Sequence, residues 1–371
     1  MVSSVEPVRR FVYIGDAITP TWSRMIVDAS NVRSILVIKL RAIGDVLLST
    51  AVLPNIRAFF PAAQIDFLTE RVCRPVVEGN PYINSVLEFD PARQSGLSLI
   101  ASVRRRSYDL VFDLFGNPRS ALVTLLSGAP NRVGFRFSWR RRCYNSVVNG
   151  RGGEVHNVEF NLDALRAMNI PIVSTKIHFP ISSAANEFAL RTMDALGLRR
   201  PLVVALNPGG GWYTKRWPAE RYAQIGSRIA EEFGARVLVV WGPGEEEGAR
   251  SIVAATGSAA TLAPKTTLEE LAAILGHCTV LVTNDSGPMH IAAALGTPVI
   301  AIFGPTRPEL QGPVGSHHEI VRNEHILCLG CNYTECPIGN PCMNDLAVET
   351  VLDRFRMFIR RCAPIPETMT S

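Results

Sequence analysis

Three clusters of polar residues, each following a short apolar run, could do chemistry in this sequence. The most informative reads Thr283-Asn284-Asp285-Ser286-Gly287-Pro288-Met289-His290. The apolar run Thr279–Val282 before it predicts a strand. A short helix opens at Pro288, Gly296 stops it, and Pro298–Phe303 predicts the next strand. Proline in the first helical turn gives up an amide that has no partner there, and glycine suits the C-terminal cap. The helix start is left with free backbone N–H groups, the Ser286 hydroxyl and a positive dipole end. Such a site takes an anion, and a phosphate suits it best. The plain alternative is a tight strand-to-helix turn in an α/β core. His290, one helical turn beyond Ser286, either hydrogen-bonds the phosphate or packs against the sheet.

The second cluster is Asn207-Pro208-Gly209-Gly210-Gly211-Trp212-Tyr213-Thr214-Lys215-Arg216-Trp217-Pro218. Gly209, Gly210 and Gly211 let the backbone come close to a ligand. Thr214, Lys215 and Arg216 stand just before a helix predicted from Pro218. Two cations beside a glycine loop at a strand's carboxyl end suit a diphosphate, and a solvent loop with exposed charges is the alternative. The third cluster is the turn Arg41-Ala42-Ile43-Gly44-Asp45. Gly44 permits close backbone approach. Asp45 either complements the start of a helix or takes a proton from an attacking hydroxyl at the mouth of a cleft.

Glu245, just past the predicted strand Arg236–Val240, is placed to accept hydrogen bonds from a ribose diol, while Glu246 and Glu247 complement a helix dipole. The sequence holds no Gly-x-Gly-x-x-Gly, no Walker lysine pattern, no Asp-x-Asp and no two-histidine metal pattern. It therefore points to no divalent ion, and Lys215 with the helix start at Gly287 is expected to meet the leaving charge.

The elements that must position these clusters alternate in type. Ile35–Lys39, Gln64–Leu68, Ser85–Phe89, Asp109–Asp113 and Arg132–Phe135 predict strands, with helices over Gly44–Phe60, Ser98–Arg106 and Pro118–Ser127. Prolines 171, 180 and 201 punctuate a break that also holds a helix, Ala184–Leu196. The alternation then restarts with strand Leu202–Leu206, helix Pro218–Phe233, strand Arg236–Val240, helix Glu245–Thr256 and helix Leu268–Gly276. A final amphipathic helix near Leu346–Arg361 is placed to pack back across the linker. Runs of βα units imply parallel sheets covered on both faces, with ligands beyond the strands' carboxyl ends. The expected architecture is α/β, two doubly wound domains facing an interdomain cleft. The expected divisions are an extension over 1–33, domains over 34–178 and 179–345, and a helix and tail over 346–371.

Composition fits this picture. The 371 residues are 47% hydrophobic and 19% charged, with net charge +5, too mild to imply nucleic acid. Arg104-Arg105-Arg106 and Arg140-Arg141-Arg142 are solvated faces or, if they act, contacts to an acidic acceptor or an anionic membrane. The first 30 residues lack the pattern of a secretion signal, and no apolar run is long enough to span a bilayer. A cytoplasmic location follows as the expectation. Cys73, Cys143, Cys278 and Cys362 are scattered, as buried reduced thiols are. Cys328, Cys331, Cys336 and Cys342 cluster; the first pair has zinc spacing and the second does not repeat it, so a reduced structural loop is favoured over a metal knot.

The segments Ile38–Ser49, Asn207–Tyr222 and Asn284–Pro305, in this order and spacing, resemble glycosyltransferase family 9, the lipopolysaccharide heptosyltransferases. The likeness runs from about Ser34 to the C-terminus and includes the cysteine-rich stretch; the extension over 1–33 departs from it. The resemblance implies a GT-B fold of two Rossmann-like domains with the donor in the C-terminal one. It implies inverting, metal-independent transfer of a heptose from ADP-heptose to a lipopolysaccharide core acceptor, an anionic glycolipid met at the inner face of the membrane. It further implies Asp45 as catalytic base, Lys215 as the diphosphate-contacting lysine, and Asp285, Ser286 and Gly287 as the phosphate loop. A GT-B transferase using another nucleotide sugar and a non-catalytic two-lobed binding protein are the competing readings.

Overall fold

The structure, a computed structural model, describes residues 31–198 and 202–362. Most of the 1–33 extension, including the region read for a secretion signal, lies outside the described residues, as does Pro201. The apolar runs form two all-parallel sheets. The first holds β1 (Ser34–Ile38), β2 (Gln64–Glu70), β3 (Ser85–Phe89), β4 (Leu110–Asp113), β5 (Asn131–Phe135) and β6 (Ser146–Val148), in spatial order β3-β2-β1-β4-β5-β6. The second holds β7 (Val203–Asn207), β8 (Arg236–Val239), β9 (Ala260–Leu262), β10 (Val280–Asn284), β11 (Val299–Ile302) and β12 (His318–Val321), in order β12-β11-β10-β7-β8-β9. Each is a doubly wound Rossmann-like sheet, and in each the strand order reverses once. The reversals fall between β1 and β4 and between β7 and β10, where open α/β sheets place their ligands.

Among the described residues, thirteen α-helices accompany the strands: α1 (Ile43–Ser49), α2 (Val52–Phe59), α3 (Gly96–Arg104), α4 (Pro118–Leu126), α5 (Asn157–Arg166), α6 (Ser183–Ala195), α7 (Ala219–Phe233), α8 (Glu246–Thr256), α9 (Leu268–Gly276), α10 (Gly287–Ala294), α11 (Pro308–Gln311), α12 (Pro341–Asn344) and α13 (Val348–Cys362). The central strands are apolar on both faces because helices cover both; Ile35, Leu36, Val37 and Ile38 have no exposed surface.

Two expectations change. The helix predicted over Gly44–Phe60 is two helices, broken after Ser49. Pro54 has no N–H to return to the Thr50 carbonyl, which accepts instead from Leu53 N at 3.0 Å. The hydroxyls of Ser49 and Thr50 also bond back to the Val46 and Leu47 carbonyls, each at 2.7 Å. The strands β6, β9 and β12 were not expected. Two of them have three residues and one has four, and β6, β9 and β12 lie at or near the sheet margins, too short for a period to show.

The two halves pack together. Ala272 of α9 and Ile291 of α10 are buried in the first half's core, beside Val46, Leu47 and Phe67. The connecting segment is tied to the first half by Asn55, whose Oδ1 accepts from Val173 N and Ser174 N at 2.6 and 2.9 Å. Helix α13 does not recross this segment. It lies on α7, with Arg356 paired to Glu232 at 2.7 Å and Phe355 edge-on to Phe233 at 5.1 Å. Among the described residues, no helix is long and apolar enough to cross a membrane.

Candidate active site

The three polar clusters meet at the facing carboxyl edges of the two sheets. The turn after β1 leads into α1, where Asp45 occupies the third helical position, half-exposed. Its Oδ2 accepts from Ala42 N at 3.4 Å, a long bond that holds the carboxylate loosely at the helix start and leaves it acceptor capacity. Across the cleft, α10 presents its own N-terminus. The packing between them is close: a Cβ at Gly44 would stand 2.6 Å from His290 Cδ2, and one at Gly287 would stand 3.2 Å from Ile43 Cγ2. Two helix N-termini, each a positive dipole end, therefore face one another.

His290 is 5% exposed, and its Nδ1 is buried without a hydrogen-bond partner. Burial pulls its pKa down to about 4, against an opposing pull from the Asp285 and Asp45 carboxylates, so the ring is neutral at pH 7. One imidazole thus senses Asp45 from the first half and Asp285 with Lys215 from the second.

Lys215 ends a single 3₁₀ turn, Tyr213–Lys215, after the glycine loop. Its Nζ donates to Asp285 Oδ2 at 2.7 Å and lies 4.6 Å from the centre of the Trp212 ring. Asp285, 4% exposed, also accepts from Thr306 Oγ1 at 2.7 Å. Asp285 thereby anchors the ammonium that faces the cleft. The Ser286 hydroxyl accepts from Asn207 Nδ2 at 2.9 Å and lies 3.1 Å from Thr283 Oγ1. It makes no capping bond to its own helix, so the first N–H groups of α10 have no intrahelical partner.

The glycine loop is shaped by neighbours. Asn284 donates to the Pro208 and Gly209 carbonyls at 2.8 and 3.0 Å, and accepts from Trp217 N and Tyr222 Oη at 3.1 and 3.0 Å. Glu245 turns toward this loop: its carboxylate accepts from Gly242 N at 2.9 Å and Gly210 N at 3.4 Å. A Cβ at Gly209 would stand 2.4 Å from Glu245 Oε2, so a side chain there would displace the carboxylate. Thr214 points inward and donates to the Tyr333 carbonyl at 2.8 Å, joining the glycine loop to the cysteine loop. In that loop Cys342 is buried and its thiol is pushed up to about 11 by burial and by Cys328, Cys331 and Cys336 nearby. Among the described residues, no three histidine, cysteine, aspartate or glutamate side chains are arranged to hold a metal ion.

The family model for glycosyltransferase family 9 (heptosyltransferase) matches residues 97–341. The chain belongs to that family. It is 28% identical over 311 residues to lipopolysaccharide heptosyltransferase 2 of Escherichia coli, covering 78% of this chain and 87% of that one. Its fold is that of a family 9 glycosyl transferase from Veillonella parvula, with a TM-score of 0.79 at 24% identity over 89% of this chain and 97% of that one. The Escherichia coli ADP-heptose lps heptosyltransferase II gives 0.72 at 24% identity, covering 88% and 99%. The chain is accordingly a glycosyltransferase, and its curated relatives are lipopolysaccharide and lipooligosaccharide heptosyltransferases.

The structure adds residues to which the sequence gave no role. Asn207, Asn284 and Thr306 hold the two turns in place through hydrogen bonds but carry no charge of their own. Their one signal is polarity at the ends of otherwise apolar strands. Lys39, which the sequence places only at the end of a strand, is 9% exposed. Its Nζ donates to the Leu114 carbonyl at 3.0 Å, and burial lowers its pKa while Asp45 and Asp113 oppose that shift.

Proposed function

We propose that this glycosyltransferase moves a heptose from ADP-heptose to a saccharide hydroxyl of a lipopolysaccharide core, with inversion at the anomeric carbon. The observation that carries the reading is the placing of Asp45 and the Lys215–Asp285 pair on opposite halves, both within electrostatic reach of the buried His290. Asp45 takes the acceptor proton as the hydroxyl oxygen bonds to the anomeric carbon. The bond from that carbon to the diphosphate oxygen breaks, and ADP departs on the opposite side. An oxocarbenium-like sugar is then flanked by a carboxylate and a diphosphate, the charge logic of glycoside chemistry.

Lys215 and the free N–H groups at the start of α10 meet the charge growing on the leaving diphosphate. Gly209 and Gly210 line its path, and Glu245 keeps acceptor capacity for a ribose hydroxyl. Neutral His290, packed against Gly44, backs the start of α10 where the donor's phosphates are placed. The packed cleft limits water and therefore donor hydrolysis. The names of the curated relatives favour a heptose as the sugar and lipopolysaccharide as the acceptor class, and the name of the Escherichia coli structure favours ADP-heptose as donor.

The test is a panel of nucleotide sugars read by thermal stabilisation, followed by transfer to a heptose-deficient core acceptor in excess EDTA. ADP-heptose is expected to stabilise most, and the product to carry one added heptose of inverted anomeric configuration. Stabilisation by a different nucleotide sugar alone, or a retained configuration, would overturn the reading. Activity lost in EDTA and restored by magnesium or manganese would overturn its metal-independent step.

A further inference from the structure

Besides the Gly44–His290 contact, the two halves meet at the start of α5. The turn over 150–155 that leads into this helix is shaped by packing and by charge. A Cβ at Gly150 would stand 2.6 Å from Phe160 Cε2, and Arg151 holds Asp163 at 2.6 Å. The turn delivers His156 to the position just before α5, where its Nδ1 accepts from Val158 N at 3.2 Å. An accepting Nδ1 leaves the ring proton on Nε2. That nitrogen lies 3.0 Å from the carbonyl oxygen of Gly312, in the other half, and donates to it. Only the neutral ring makes both bonds. Burial keeps it neutral at pH 7 by lowering its pKa, against the Gly312 carbonyl and the Glu159 carboxylate.

Each end of this bond belongs to a segment that carries a site residue. On the first side, α5 buries Val158, Leu162 and Leu165 in the same core as Val46 and Leu47 of α1, the helix that holds Asp45. On the second side, Gly312 closes the single turn α11. Its N–H returns to the Pro308 carbonyl at 2.7 Å, and Leu310 and Gln311 return to the Arg307 carbonyl at 3.1 Å. A Cβ at Gly312 would stand 2.6 Å from Pro308 O, so the turn closes this tightly only around glycine. Arg307 reaches back to the Gly153 carbonyl at 3.4 Å. Thr306, next before it, donates to Asp285, the partner of Lys215. A shift at Gly312 is therefore passed through one compact turn to the Lys215–Asp285 pair.

We propose that His156 is a positioning residue for transfer: its bond to Gly312 fixes the span between Asp45 on one half and the Lys215–Asp285 pair on the other. A base and a leaving-group cation must stand on two sides of one sugar, and small misplacements of such groups cost rate. The ring itself need touch neither donor nor acceptor. The effect on rate rests on the transfer reading above, whereas the bond is tested without transfer.

Two variants separate the bond from the helix cap. In His156→Asn the amide oxygen takes the place of Nδ1 and keeps the cap, because asparagine is favoured there, but the side chain falls short of Gly312. In His156→Gln the amide nitrogen takes the place of Nε2 and still reaches Gly312, with a poorer cap. Amide hydrogen exchange is followed over 150–158 and 306–314 in the full-length protein without ligand. Exchange over 306–314 is expected to quicken about fivefold in His156→Asn, the scale of one lost hydrogen bond, and to stay within about twofold of the parent in His156→Gln. In transfer assays the Asn variant should lose about fivefold in kcat, with ADP affinity and both KM values within about twofold. The Gln variant should recover most of that kcat despite a lower urea midpoint. Unchanged exchange over 306–314 in His156→Asn would overturn the bond's role whatever the transfer result. Quickened exchange with parental kcat would overturn the positioning role. So would a kcat that follows urea stability across the two variants, which would leave His156 a helix cap alone. A parent that transfers no heptose would overturn the transfer reading and the rate effect with it, while quickened exchange would still support the bond between the halves.

Discussion

His290 packs against the backbone of Gly44, so that the starts of α10 and α1 touch where the two halves meet. A methyl group at position 44 would stand 2.6 Å from the imidazole Cδ2. The contact places a neutral ring with an unpartnered Nδ1 between the carboxylate of one half and the lysine–aspartate pair of the other. It also makes the fit of the halves depend on one missing side chain.

Gly44→Ala should therefore force the halves apart or displace the ring. Overpacking of this kind costs about 1–3 kcal/mol. His290→Ala in the Gly44→Ala background should recover part of that loss, giving a non-additive double-mutant cycle in urea unfolding. Additive effects would mean that the two residues do not share this contact in solution.

Asp45→Asn should leave ADP-heptose affinity near that of the parent and lower turnover by about 10²-fold or more, the scale of a lost general base. Donor affinity and ADP release in the presence of acceptor are measured separately. Near-normal turnover would reduce Asp45 to the helix-start role that its 3.4 Å bond from Ala42 N also serves.

Lys215→Ala should lower kcat more than it weakens donor binding, because the diphosphate gains charge as the bond breaks. It also strands Asp285 with Thr306 alone, and an unpaired buried carboxylate can cost about 3–5 kcal/mol. Lys215→Ala/Asp285→Asn removes that cost and keeps the catalytic loss readable in a folded protein. Arg216→Ala should matter less: its Nε donates to the Gly210 carbonyl at 2.9 Å, and its guanidinium reaches Glu245 at 3.7 Å on an exposed side of the loop. A larger kcat loss in Arg216→Ala would reverse these assignments.

Stability should fall as the medium is acidified below pH 6.5. His290 in the folded chain takes a proton only near pH 4, whereas the unfolded chain takes it near 6.5. Between these values the unfolded state binds more protons, so stability is full above 6.5 and declines toward 4. At pH 5 the loss from this residue is about 2 kcal/mol. His156, His178 and His318 are shifted down by burial in the same sense. Urea midpoints at pH 7 and pH 5 should therefore converge in His290→Gln relative to the parent. An identical pH 7 to pH 5 difference in both proteins would show that His290 titrates normally.

The sequence by itself determined the repeating βα order, because buried parallel strands are written as continuous apolar runs and each cluster of glycine and polar residues follows such a run. Ser85–Phe89 and Leu268–Gly276 coincide with their predicted spans, and the glycine loop, the Asp285–Gly287 turn and Asp45 each follow a strand as the sequence predicts. Strand order was not legible: local pattern cannot say that β1 lies beside β4 and β7 beside β10, which requires pairings across 75 residues or more. Only the tertiary structure brought those reversals face to face. It gave Lys215 the buried carboxylate of Asp285, turned Thr214 inward to Tyr333, and set His290 against Gly44. Each of these depends on which side chains fill the same small volume, and volume is shared by residues that the chain keeps far apart.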